Sequence, residues 1–180
     1  MSFAAAPALL ACIVFGAGML HAIVTDLRHR RIRNWLVATL AAGWAPMALA
    51  AGIPAAEMAA AAAAAALVFA AGFGCFVAGW LGGGDVKLAS VAVLWLGAGQ
   101  APDFVLLSSV IGASLTALLV LARLATGASA RSTGAPSTGP DSRQTPEPRS
   151  PAARHAVPYG PALAVAALAL LHGSPWAAAF

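Results

Sequence analysis

Residues 3–34 read FAAAPALLACIVFGAGMLHAIVTDLRHRRIRN, and this stretch decides the fold. Residues 3–24 contain no Asp, Glu, Lys or Arg. One crossing of a bilayer takes roughly 20 apolar residues, so the run is long enough to span. Asp26 follows, then Arg28, Arg30, Arg31 and Arg33. A cleavable signal peptide carries its basic residues ahead of the apolar run, and here they come after it. The stretch therefore reads as a first membrane helix whose N-terminus lies outside and whose basic end faces the cytoplasm.

The rest of the chain agrees. Its 180 residues are 61% hydrophobic and only 9% charged. A soluble domain carries about a quarter charged residues, so a soluble globular enzyme is excluded. The same apolar content excludes disorder over most of the length. Cys12 and Cys75 lie far apart in apolar runs and predict neither a disulfide nor a zinc site. No metal or other cofactor is expected. The net charge of +4 falls in short loops and a polar tract, so it reads as a topology signal and not as a nucleic-acid surface.

Five further apolar segments follow, at 35–51, 58–80, 88–101, 104–122 and 159–178. The fourth is short and calls for a thinner bilayer or for burial by its neighbours. Residues 126–157 are rich in Ser, Thr, Gly, Pro and Arg, and predict a mobile loop. Arg28, Arg30, Arg31 and Arg33 lie between the first and second segments, and Lys87 between the third and fourth. Arg123, Arg131, Arg143, Arg149 and Arg154 lie between the fifth and sixth. The other two loops carry only Glu57 and Asp103. The expectation is an all-α polytopic membrane protein of one domain, with six transmembrane helices. Its basic loops are cytoplasmic and both termini are outside. Gly72, Gly74 and the alanine run 59–66 need no role beyond close helix packing.

Two acids remain once Asp141 and Glu147 are assigned to the loop and Glu57 and Asp103 to the outer side. Asp26 ends the first apolar segment, and Asp85 precedes the fourth. Charge alone puts them at one depth, on the cytoplasmic side. An acid at the end of a membrane helix faces the bundle or water. Two facing carboxylates in a partly dry site share one proton, which is the arrangement needed to hydrolyse a peptide bond. Gly82, Gly83 and Gly84 lack a Cβ and could let a substrate backbone approach Asp85. Each acid also has a plainer reading. Asp85 after a glycine turn is an ordinary helix N-cap. Asp26 could simply pair with Arg28 or Arg30. Lys87 reads as an interface lysine pointing away from Asp85.

The segment Asp26-Leu27 with Arg31-Ile32-Arg33-Asn34-Trp35-Leu36 resembles the first signature of the type IV prepilin peptidases. Gly82-Gly83-Gly84-Asp85-Val86-Lys87-Leu88 resembles their second, the GxGD motif. Leu94-Trp95-Leu96-Gly97 and Pro158-Tyr159-Gly160-Pro161 are similar to weaker family features. The family often has proline before the asparagine, where this chain has Arg33. The resemblance implies an aspartic endopeptidase of the bacterial inner membrane, with Asp26 and Asp85 catalytic and Lys87, Arg31 and Asn34 in supporting places. It implies cleavage of leaders from prepilins and pseudopilins at the cytoplasmic face. It also implies the short, Flp-pilus form without a methyltransferase domain.

Three other functions compete. Ser114 and His172 could form a rhomboid-like nucleophile pair. Asp26 and Asp85 could relay protons in a small carrier, although carrier carboxylates usually lie near the midplane between repeats. A silent relative could serve as a pilus-assembly scaffold.

Overall fold

A computed structural model describes residues 5–29, 32–125 and 159–177. They form six α-helices and no strand among the described residues: α1 (Ala5–His29), α2 (Asn34–Ala50), α3 (Ala55–Val77), α4 (Gly83–Leu96), α5 (Ala101–Ala125) and α6 (Gly160–Leu170). Short 3-10 turns follow α4 at Ala98–Gln100 and α6 at Leu171–Gly173. The all-helical reading therefore holds, with six helices for the six apolar segments. Three stretches, Ala5–His29, Ala55–Val77 and Ala98–Ala122, are long and apolar enough to cross a membrane. The predicted loop 126–157 lies outside the described residues.

Two compact units divide the chain, the first holding residues up to Ala113 together with the α6 region. The second begins at Ser114, and its described part is the C-terminal half of α5.

Within the first unit α4 is the central element. Val86, Leu88, Ser90, Val91, Ala92, Val93, Trp95 and Leu96 are all buried, so almost every face is covered. Its main neighbours are α3, α6 and α2. At 1.5 Å per residue its 14 residues extend about 21 Å, short of the roughly 30 Å hydrocarbon core. Burial by neighbours, one of the two remedies foreseen for a short fourth segment, is present in this fold. Small residues make the coverage close. A Cβ on Gly72 of α3 would lie 2.9 Å from Val86, and one on Gly18 of α1 would lie 2.9 Å from Leu40 of α2. Ala61 and Ala65 are the buried residues of α3, and the Ser90 hydroxyl donates to the Ala65 carbonyl at 2.6 Å. Gly74 differs from the packing role expected of it, because a Cβ there would meet nothing within 4 Å.

Helix ends depart from the expected limits for local reasons. Gly83 and Gly84 form the first turn of α4, so the helix starts before residue 88. It stops at Gly97, whose φ of +87° suits glycine and whose Cα faces Pro175 closely. The sixth segment does not run unbroken to 178. Gly173 and Pro175 end it, and the Ser174 hydroxyl caps the Leu171 carbonyl at 2.6 Å. The far side of the core is aromatic. Trp95 stacks on Phe15 with ring centroids 5.4 Å apart and contacts Trp176 at 5.3 Å. Apolar residues cover the outside instead: Leu67, Val77, Leu106 and Leu124 are all largely exposed, as a lipid-facing surface requires.

Candidate active site

Asp26 lies on the last turn of α1, three residues before its end, and is buried. Its Oδ2 accepts a hydrogen bond from the backbone N–H of Gly160 at 3.2 Å. That donor comes from the first turn of α6, where N–H groups have no helical partner. Pro161 follows in the same turn and offers no N–H. The positive end of α6 therefore points at an acid 134 residues away in the chain. The adjacent Thr25 turns its hydroxyl onto the carbonyls of His21 and Ala22.

Asp85 sits in the first turn of α4, ahead of the apolar stretch that begins at Leu88. The N-cap is Gly82, so the plain reading of Asp85 as the cap is corrected. Asp85 stands three residues further on and draws a backbone hydrogen bond from Gly82, one half of a capping box. Its carboxyl is pushed up to about 6 from the usual 3.8. Burial is the largest cause and the neighbouring Asp26 charge the second, while the Gly82 hydrogen bond opposes both. Two acids 59 residues apart in sequence are thus brought within electrostatic reach of each other.

The three glycines have separate surroundings. A Cβ on Gly82 would lie 2.9 Å from the Asp85 Oδ2, so this residue alone borders the carboxylate. A Cβ on Gly83 would meet Phe76 at 3.3 Å, and one on Gly84 would meet Ile32 at 3.2 Å. These two glycines permit close packing of protein on protein. The contact between Gly84 and Ile32 joins the two sequence motifs. A second link is Lys87, whose Nζ donates to the Asn34 Oδ1 at 3.2 Å. Lys87 thus has a partner in the first motif. Arg31 lies outside the described residues.

Arg33, at the N-cap of α2, has φ −73°. Proline imposes about this value, so the departure at Arg33 leaves the backbone of the motif unchanged. Arg33→Pro is expected to leave thermal stability equal or slightly higher. A comparison of melting midpoints in detergent checks this.

Beside Asp85 opens a cleft of about 260 Å³ between α3, α4, α5 and α6. Val68, Gly72, Ala89, Val105 and Leu163 make it mostly apolar, while Asp85 supplies its carboxyl. Tyr159 lines the same cleft. Gly160 and Tyr159 were not singled out from their residues as site groups. The available signal was a Gly-Pro pair opening a helix, which marks a turn of exposed donors but not what they reach. His172 is exposed, and its Nδ1–H meets the Ala169 carbonyl at 2.8 Å within its own turn.

The model of the type IV leader peptidase family matches residues 13–117, from α1 into α5. The match includes Asp26, Asp85 and the contacts between the two motifs, and stops before α6. No curated protein and no solved structure matches the chain. More than half of the chain carries the family's pattern, over the helices that assemble this acidic site, and the chain belongs to the type IV leader peptidase family.

Proposed function

We propose that this protein is a membrane aspartic endopeptidase that removes the leader from type IV, Flp-like prepilins and pseudopilins, with Asp26 and Asp85 as its catalytic pair. The observation that carries the reading is the meeting of the two acids. One is buried at the end of α1 against Gly160, and the other stands in the first turn of α4 and lines a cleft with Tyr159, the residue next to Gly160. The basic residues Arg28 and Lys87 at this end of the bundle support a cytoplasmic orientation for it, and the reading takes the membrane to be the bacterial inner membrane.

A helix N-terminus favours a negatively charged partner, so Asp26, held by the Gly160 N–H, takes the part of the base. Asp85 keeps the shared proton. A water between them gives its proton to Asp26 as its oxygen bonds to the carbonyl carbon of the scissile peptide. Asp85 donates its proton to the carbonyl oxygen. The carbon–nitrogen bond then breaks as the proton held by Asp26 passes to the leaving nitrogen, and one hydroxyl of the intermediate returns its proton to Asp85 as the carboxylic acid forms, which restores the pair. The apolar cleft next to Asp85 suits a substrate whose cleavage point adjoins an apolar segment.

The test is cleavage of a precursor peptide, leader plus apolar segment, by purified protein in detergent. Cleavage at the leader junction supports the peptidase, and failure on every leader-bearing precursor tried would reject it. The pH dependence tests the acid. A carboxyl raised to about 6 holds its proton above the ordinary carboxylate range and loses it as pH rises through that value. The cleavage rate is therefore expected to fall on the alkaline limb. A flat rate from about pH 5 to about pH 8 would remove Asp85 from the acid's part.

A further inference from the structure

We propose that Tyr159 and Gly160 form a positioning clamp for Asp26, in which Tyr159 anchors the start of α6 to α5 so that the Gly160 N–H stays on the carboxylate. The inference rests on the aspartic reading above and adds α6 to the machinery.

Three observations carry it. The Tyr159 hydroxyl donates to the Ser108 carbonyl at 3.1 Å, and its ring lies over Gly112, where an added Cβ would overlap it. A glycine on α5 thus makes room for this ring. Gly160 is buried, and a Cβ there would lie 2.7 Å from the Asp26 Oδ2 and 2.9 Å from its Cγ. The donor can approach the carboxylate only because residue 160 has no side chain. Tyr159 and Gly160 are adjacent in the chain, so the anchor on α5 and the donor on Asp26 move together. Pro161 restricts the next backbone angle and stiffens the same turn.

Neither residue reacts in this scheme. They determine where the Asp26 carboxylate sits relative to Asp85. Displacement by about 1 Å can cost a hundred-fold in rate without changing how tightly substrate binds. The clamp therefore acts on kcat and leaves KM alone.

The experiment uses full-length protein purified in detergent and a precursor peptide. Tyr159→Phe keeps the ring and removes the hydroxyl. It is expected to lower kcat about ten-fold with KM within two-fold of wild type. Gly160→Ala is expected to lower kcat about a hundred-fold. Gly43→Ala is the control, since a Cβ there meets nothing within 4 Å, and it should behave as wild type. If Gly160→Ala does not accumulate in the membrane, Tyr159→Phe decides alone. Wild-type kcat in Tyr159→Phe would overturn the clamp. A raised KM at unchanged kcat would also overturn it, because the residue would then only line the cleft. Cleavage by Asp26→Asn would instead sink the aspartic reading on which the clamp rests, so the two failures are separable.

Discussion

Asp26→Asn and Asp85→Asn are each expected to lower precursor cleavage by at least about a thousand-fold, while Asp103→Asn, at the start of α5, is expected to cleave as wild type does. Asparagine keeps the size and much of the hydrogen bonding of aspartate, so the Gly160 N–H still finds an oxygen at residue 26. What each change removes is the ability to take or give a proton. The two losses should not multiply, because the carboxyls act as one unit and the double variant has little left to lose. Co-expression with a precursor, followed by its size on a gel at equal membrane levels of each variant, checks this. Cleavage surviving in either single variant would remove the pair from the mechanism.

Trp95→Ala is expected to destabilise the fold by about 3–5 kcal/mol. Trp95 is fully buried, stacks on Phe15, contacts Trp176 and donates from Nε1 to the Leu40 carbonyl at 3.0 Å. Alanine leaves a large cavity and deprives the Leu40 carbonyl of a donor. Trp95→Phe keeps most of the packing and should lose about 1 kcal/mol for the hydrogen bond. Ten residues separate Trp95 from Asp85, about 15 Å along α4, so the folded fraction of Trp95→Ala should keep the wild-type pH profile. Unfolding by denaturing detergent measures the first expectation, and rates across pH measure the second. A shifted profile would show that the aromatic end of α4 governs the acidic end.

Much of this protein was legible from residue order. The apolar runs announce membrane helices because a bilayer requires their length and apolarity, and no contact between helices is needed to see it. Asp26 and Asp85 were legible by elimination, since an acid at the end of an apolar helix is costly without a purpose. The GxGD stretch carried its family in a few adjacent residues. Helix ends were less legible. Gly83 and Gly84 look like linker but belong to the first turn of α4, because Phe76 and Ile32 pack against them. Local propensity argues against glycine in a helix, and tertiary packing overrides it here.

Sequence by itself determined the class of the protein, an all-helical membrane protein, and the two acids worth watching, because both follow from the cost of charge in lipid. Tertiary structure decided who stands beside those acids. The Gly160 donor reaches Asp26 across 134 residues, the Lys87 ammonium finds Asn34 across 53, and the 14-residue α4 is sheltered by α2, α3 and α6. Such contacts depend on how helices pack, and packing is set by the fit of many small side chains at once. No single stretch of sequence contains that information.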